Sequence, residues 1–539
     1  MLSPFAETIM QHKYSHTLPD GTKETWRQIV DRVVDAVVYP YLPDMTNHLK
    51  KIMYERKFIP AGRYLYAAGR RVHQVNNCIL LDVEDSREGW ADLLYKSASS
   101  LMTGAGIGVV YSKLRPSGTL VKGMGGTSTG PIALMEIVNE AGRHIMQGGS
   151  RRSAMWAGLH WDHPDVFIFR KVKNWSEDLR AMKEKDFNFP APLDSTNISI
   201  ILDDGFFEAF EDEEHEMHSW ASEIYWKTVK RMCKTGEPGF SINYGSDEHL
   251  RNACTEVSSA DDSDVCNLGS INFGKVESIS ELLGIVEDAT AFLLCGSLYS
   301  TVPYDKVKLI RGKNRRLGLG IMGLHEWLLK RGYTYEENEE LTSWLRVYEQ
   351  STVWANHYAR RLNISTPIAT RAIAPAGTIS IIGETTSGIE PIFCTSFKRR
   401  YLKGNKWYAQ YVIDSAAQRL IEEGINPAQI EDAFSLALDV ERRISFQAYI
   451  QQFVDMGISS TINLPAWGSP ENNQDTVEGF GKILAKYLPL LRGITTYPDG
   501  ARGGQPLTPV AYDEASAWAG VEFEENGNLQ SCVNGACGI

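Results

Sequence analysis

The sequence predicts an α/β fold, and two observations carry that prediction. Short apolar runs recur at Cys78 to Leu81, Gly108 to Tyr111 and Ile198 to Leu202, and amphipathic stretches of helical period such as Glu339 to Leu362 stand among them. Strands alternating with helices settle as a largely parallel sheet with helices packed on it. There is no internal repeat and no low-complexity tract, and 539 residues are enough for a large core, two to four domains by length alone.

Taken in order, residues 1–57 read as a helical N-terminal region. Thr25-Trp-Arg-Gln-Ile-Val-Asp-Arg-Val-Val-Asp-Ala-Val-Val places apolar residues at helical spacing. Residues 58–510 hold the alternation and form the α/β core. Within it, Leu317-Gly318-Leu-Gly320-Ile-Met-Gly323 satisfies G-x-G-x-x-G, but Arg311-Gly-Lys-Asn-Arg-Arg precedes it instead of a buried strand, so close helix packing is expected there and not dinucleotide binding. Ala374-Pro375-Ala376-Gly377-Thr378-Ile379-Ser reads as a turn of small residues, whose backbone N–H groups could hold a phosphate if a helix begins after it. Residues 511–539 turn acidic and glycine-containing, as a flexible tail would.

Composition excludes several classes. A net charge of −12 argues against a protein that coats nucleic acid. Eight cysteines behind an N-terminus with no basic-then-apolar run point to a reducing compartment, and no apolar stretch approaches the ~20 residues of a membrane span. A cytoplasmic protein is expected.

The chemistry concentrates in Asn252-Ala-Cys254-Thr-Glu256. On an extended segment, alternation would put the amide, the thiol and the carboxylate on one side, within reach of one substrate. A second thiol follows at Cys266, in Asp264-Val-Cys266-Asn267-Leu268-Gly269-Ser270, and a third lies upstream at Cys78, in Asn76-Asn77-Cys78-Ile79-Leu80. Cys532 and Cys537 close the chain on a polar arm suited to disulfide exchange. With no Cys/His pair nearby to complete four ligands, a metal site is not expected.

These motifs resemble the large catalytic subunit of ribonucleotide reductase over most of the chain. The Asn-x-Cys-x-Glu triplet, Cys78, Cys266 and the terminal Cys-x4-Cys occur in that family's order. So do Thr103-Gly-Ala-Gly106-Ile-Gly108, Gly125-Gly-Thr-Ser-Thr-Gly130-Pro131, Gln147-Gly-Gly-Ser-Arg151-Arg152 and Ala374-Pro375-Ala-Gly-Thr-Ile379. The resemblance implies a ten-stranded α/β barrel with the Cys254 segment threading its centre as a finger loop, and too short an N-terminal region for the ATP-cone domain. It implies a thiyl radical on Cys254 that takes the ribose 3' hydrogen, Glu256 as general base on the 3'-hydroxyl and Asn252 as orienting amide. Cys78 and Cys266 would be the reducing pair, and Cys532 and Cys537 a shuttle to thioredoxin or glutaredoxin. For the substrate it implies Asn77, Gly106 and Pro375, Ala376, Gly377, Thr378 and Ile379, with Tyr64 standing where relatives commonly have a threonine. For a deoxynucleotide or ATP effector it implies Asp85, Arg115, Gln147, Arg151 and Arg152, at the interface of a homodimer.

The source of the radical follows from an absence in the text. Oxygen-dependent relatives receive it from a metal subunit through two adjacent tyrosines, and this chain has no Tyr-Tyr dipeptide. Leu491-Arg-Gly-Ile-Thr-Thr-Tyr497-Pro-Asp-Gly-Ala-Arg and Arg315-Arg-Leu-Gly-Leu-Gly-Ile-Met-Gly look like the adenosylcobalamin-dependent class. The alternatives are an oxygen-dependent catalytic subunit with a separate metal subunit, a thiol-disulfide oxidoreductase without nucleotide chemistry, and a nucleotide-binding regulator on the same fold.

Overall fold

The run after Thr25 folds as its period requires. In the computed structural model, which describes residues 2–121, 125–145, 153–186, 189–403, 406–501 and 507–524, helix Trp26–Val37 starts at a capping box between Thr25 and Gln28 and buries Ile29, Val30, Val33, Val34 and Val37. It packs with helix Thr46–Tyr54 against helix Ile279–Tyr299. That last helix is long and apolar enough to cross a membrane by length and composition. Glu281, Glu287 and Asp288 interrupt its apolar run. Its residues Ala289 to Ser297 are all buried, as in the centre of a core.

The strands are β1 (Phe58–Pro60), β2 (Cys78–Asp82), β3 (Gly106–Val110), β4 (Met155–His160), β5 (Thr196–Leu202), β6 (Gly239–Ile242), β7 (Leu250–Arg251), β8 (Ser258–Ser259), β9 (Asp264–Asn272), β10 (Leu317–Met322), β11 (Ser396–Lys403), β12 (Lys406–Ile413), β13 (Thr461–Leu464), β14 (Gly493–Pro498), β15 (Leu507–Pro509) and β16 (Glu522–Glu524). Ten of them form one sheet in the order β1-β9-β2-β3-β4-β5-β6-β14-β13, with β10 on β9. From β2 to β6 every pairing is parallel. At each end of that block the direction reverses, β9 lying antiparallel to β2 and β14 antiparallel to β6, while β10 is parallel to β9 and β13 to β14. Single parallel bridges, Leu319 to Arg371 and Ile373 to Ile458, lead from β10 to the residues just before β13.

Period-two alternation decides what each face does. Leu80, Val110, Trp156 and Ile201 point to one side, where they pack with Leu250, Val257, Cys266 and Leu268. Their neighbours Ile79, Leu81, Val109, Met155, Ala157 and Ile200 point to the other, under the helices. Cys78, two residues before Leu80, shares the inner face.

Three sequence expectations change here. Glu339 to Leu362 is two helices, Glu339–Tyr348 and Ser351–Arg361, because the Arg371 guanidinium donates to the Glu349 carbonyl and to Ser351 Oγ at the break, a long-range contact with no local signal. The glycine-rich Leu317–Met322, read as lacking a buried strand, is itself a fully buried strand, and helix Ile279–Tyr299 packs on it. Residues after 511 are not tail at once, since β16 is the edge strand of a second sheet, β15-β11-β12-β16, on which helix Tyr512–Trp518 packs.

Candidate active site

A hairpin enters the inner face of the ten-stranded sheet. Its stem pairs Leu250 with Ser259 and Arg251 with Ser258, and residues 252–257 form its tip. The tip is a turn and not the extended segment that alternation suggested. Thr255 has φ +67°, its N–H donates to the Asn252 carbonyl at 3.1 Å, and the Val257 N–H donates to Asn252 Oδ1 at 3.0 Å. Asn252, Cys254 and Glu256 are brought together by a backbone reversal that Asn252 itself caps.

Glycines make room for the tip. A Cβ on Gly108 would lie 2.0 Å from the Arg251 carbonyl oxygen, and one on Gly106 would lie 3.1 Å from Ala253 Cβ and 3.3 Å from Cys78 Sγ. From the other side the Gly457 N–H donates to the Glu256 carbonyl at 2.7 Å, and a Cβ there would meet the Thr255 carbonyl at 3.0 Å. Gly106 was expected at the site. Gly457 was not, and nothing around it in Asp455-Met456-Gly457-Ile458 marks it.

Beside the tip, Cys78 and Cys266 are direct cross-strand partners on β2 and β9. Both are buried, Cys254 is half-buried, and none of the three is in a disulfide. Burial pushes the Cys266 thiol well above its ordinary pKa, and the charges of Glu256 and Asp264 and the neighbouring Cys78 add to the shift. A Cβ on Gly318 would come 2.7 Å from Cys266 Sγ, so β10 closes the space behind that sulfur.

Glu256 is 1% exposed, and burial raises its carboxyl to about 7 against the downward pull of its own backbone and the Asn252 amide. Its Oε2 and the Asn252 Nδ2 are buried without a hydrogen-bond partner. A buried acceptor and a buried donor left open beside a half-buried thiol suit a ligand rich in hydroxyl groups. The arrangement provides a base that ionises near neutral pH, an amide donor, one accessible thiol and a pair of thiols that can be oxidised to a disulfide.

The 374–379 segment lies next to this cluster. The Ile373 N–H donates to the Gly457 carbonyl at 3.1 Å, on the same residue whose N–H holds Glu256, and two residues later the chain turns. Ala376 adopts φ +49° and helix Gly377–Gly383 begins, as the phosphate reading requires, with Gly377, Thr378 and Ile379 in its first turn where N–H groups lack intrahelical acceptors. Asn77 is half-buried beside Cys78, its carbonyl accepting the Gly106 N–H at 2.9 Å and its Oδ1 without a partner.

Other expected residues lie apart. Tyr64 is fully buried in the core, with its ring against Phe292 and its hydroxyl where a Cβ on Gly296 would fall, a packing position among apolar side chains. Asp85 and Arg115 form an ion pair at 2.7 Å, each partly exposed. Gln147, Arg151, Arg152, Cys532 and Cys537 lie outside the described residues.

Comparison with known proteins agrees with the geometry. The family model for the ribonucleotide reductase barrel domain matches residues 76–244, 221–359 and 368–486. A vitamin B12-dependent ribonucleoside-diphosphate reductase of Mycobacterium tuberculosis is 28% identical over 98% of this chain and 84% of that protein. One of the same name from Thermoplasma acidophilum is 26% identical over 94% of this chain and 72% of its own length. A Mycobacterium phage D29 protein, provisionally named an adenosylcobalamin-dependent ribonucleoside-triphosphate reductase, is 24% identical over 99% of both chains. With the family's barrel domain matched over most of the length, this chain belongs to the ribonucleotide reductase family.

Proposed function

We propose that the protein reduces ribonucleotides to 2'-deoxyribonucleotides as a member of the adenosylcobalamin-dependent class. The observation that carries the reading is the Cys254 turn seated beside a cross-strand pair of reduced, buried thiols, with an unpartnered carboxyl oxygen and amide nitrogen on the same turn. Cys254 would take the 3' hydrogen atom of the ribose as a thiyl radical and return it at the end. Glu256 would accept the 3'-hydroxyl proton, and Asn252 Nδ2 would donate to a ribose oxygen. The C2'–O bond would then break, the hydroxyl leaving as water with a proton from Cys78, and Cys78 and Cys266 would supply two electrons as their sulfurs bond. The first turn of helix Gly377–Gly383 would receive the substrate phosphates.

The nucleoside part of the cofactor has a candidate place beside β14. On β14 the face that turns Gly493 toward Thr255 also presents Thr495 and Tyr497, which are half-buried where Ile494 and Thr496 are buried. Tyr497, with Phe393, Phe434, Asn463 and Leu464, lines a cavity of about 220 Å³ at the carboxyl ends of β13 and β14, and its aromatic walls and polar ends suit a nucleoside. When bound, adenosylcobalamin supplies the carbon-centred radical that oxidises Cys254. Regeneration of the Cys78–Cys266 dithiol would pass through Cys532 and Cys537 to thioredoxin or glutaredoxin. A deoxynucleotide or ATP effector would bind near Asp85 and Arg115 in a cytoplasmic homodimer.

The test is nucleotide reduction by the purified chain with adenosylcobalamin and dithiothreitol and no second protein. Deoxyribonucleotide formation supports the reading. Activity that requires a metal-containing partner subunit overturns the cobalamin assignment.

A further inference from the structure

Arg316 is 2% exposed and stands directly before β10. Its Nε donates to Asp264 Oδ2 at 2.9 Å and its Nη2 donates to Glu248 Oε1 at 2.7 Å. Asp264 is fully buried on β9, two residues before Cys266, and the same Oδ2 accepts from Ser259 Oγ at 2.7 Å and Asn314 Nδ2 at 2.9 Å. Glu248 stands two residues before the hairpin stem, and its Oε2 accepts from Ser258 Oγ at 2.7 Å. One guanidinium therefore joins both arms of the stem, Glu248 on the way in and Ser258 and Ser259 on the way out, to the strand that carries Cys266.

Stability alone gives little reason for such a buried group. Replacing a buried ion pair with apolar side chains is often neutral or stabilising, so a buried charge retained here is better explained by the geometry it fixes. The reaction demands such geometry, because Cys254 must reach one ribose carbon while Cys78 and Cys266 serve its neighbour, and a displacement of about 1 Å can cost on the order of 10²-fold in rate. Arginine suits the task because its rigid fork binds two carboxylates at once, whereas a lysine ammonium on a flexible stem fixes neither angle.

We propose that Arg316 is a positioning residue which, through Asp264 and Glu248, sets the height of the Cys254 turn relative to the Cys78–Cys266 pair. The proposal rests on Cys254 being the thiol that reacts with substrate.

The experiment compares Arg316→Lys and Glu248→Ala with the wild type in three measurements. Turnover should fall by at least about tenfold with KM held within about threefold, as for loss of an interaction made in the transition state. The rate at which iodoacetamide alkylates Cys254, read by peptide mass, should change by about threefold or more, because the turn shifts. Closure of the Cys78–Cys266 disulfide by diamide should keep its wild-type rate, because β2 and β9 stay in register. Turnover and alkylation unchanged in both variants would overturn the proposal. So would disulfide closure that changes in parallel with alkylation, which marks general loosening. If Arg316→Lys fails to fold, Glu248→Ala decides, since Glu248 is 31% exposed and Arg316 keeps its bond to Asp264 without it. The two thiol rates need no turnover, so they report on Arg316 even if the reaction assignment fails. That assignment is tested separately by Cys254→Ser, whose retention of turnover would remove it.

Discussion

Cys78 and Cys266 face each other across the antiparallel seam between β2 and β9. Direct cross-strand neighbours hold their Cβ atoms about 4.5–5.5 Å apart, and a disulfide takes about 3.5–4.5 Å, so the bond can form with a small closing movement and no change of register. Among the six cysteines of the described residues, diamide should therefore give one intramolecular disulfide, between the peptides that carry Cys78 and Cys266. Cys233, Cys295 and Cys394, buried elsewhere, should stay reduced. Cys266→Ser should abolish the product. A predominant Cys78–Cys254 link by peptide mapping would refute the pairing.

The raised carboxyl of Glu256 has a sign that stability and activity both report. Its folded pKa of about 7 exceeds the ordinary 4.5, so between those values the folded chain holds a proton that the unfolded chain has lost, and stability falls as pH rises through the window. Glu256→Gln removes that loss. The variant should match the wild type near pH 5 and exceed it near pH 8 by up to roughly 3 kcal/mol, measured by denaturant unfolding. Turnover should do the reverse. The wild type should gain activity through about pH 7 as the base ionises, and the variant should lose on the order of 10²-fold with no acid limb near 7.

Much of this site was legible because its signals are local. The Cys, Asn and Glu types and their spacing stand in the text, as do the alternating runs that became β2, β3 and β5, and the cap residues around Trp26. The shape of the tip was not legible, since alternation in Asn252-Ala-Cys254-Thr-Glu256 fits an extended strand equally well and the turn depends on Val257 reaching back to Asn252 Oδ1. Contacts across long stretches of sequence were also silent. Gly457 holds Glu256 from some two hundred residues away, and Arg316 meets Glu248 by folding alone, without a pattern in either neighbourhood. Tyr64 comes from the family resemblance alone, and its environment among Phe292 and Gly296 follows from the packing of a helix far away in the sequence.

Two glycines should respond in opposite directions to the same substitution. Gly108→Ala places a methyl group 2.0 Å from the Arg251 carbonyl oxygen, which belongs to backbone and cannot swing aside. The hairpin must shift, at about 1–3 kcal/mol in stability and with loss of most turnover. Gly312 lies in helix Asp305–Asn314 with nothing within 4 Å of an added Cβ. Gly312→Ala should raise stability by about 0.5–1 kcal/mol and leave turnover intact. Thermal melts and turnover assays on the two variants check both statements, and equal effects would show that Gly108 does not set the approach of the hairpin.

Asn252 does two things with two atoms, and substitutions can separate them. Its Oδ1 accepts the Val257 N–H and closes the turn, while its amide pulls the Glu256 carboxyl down from where burial alone would put it. Asn252→Ala leaves the buried Val257 N–H without an acceptor, so stability should drop by about 1–3 kcal/mol together with turnover. Asn252→Asp keeps the acceptor but replaces the donor with a second carboxylate beside Glu256. Two neighbouring carboxyl groups resist ionising together, so the acid limb of the pH profile should move above 7 and become the property of the pair. Stability should stay close to the wild type at pH 5, where one or both groups are protonated, and fall as pH rises further than in the wild type, because the buried pair must then ionise twice. An Asn252→Asp enzyme whose acid limb stays at the wild-type position would mean that the amide does not act on Glu256, and the contact between these two side chains would have no part in tuning the base.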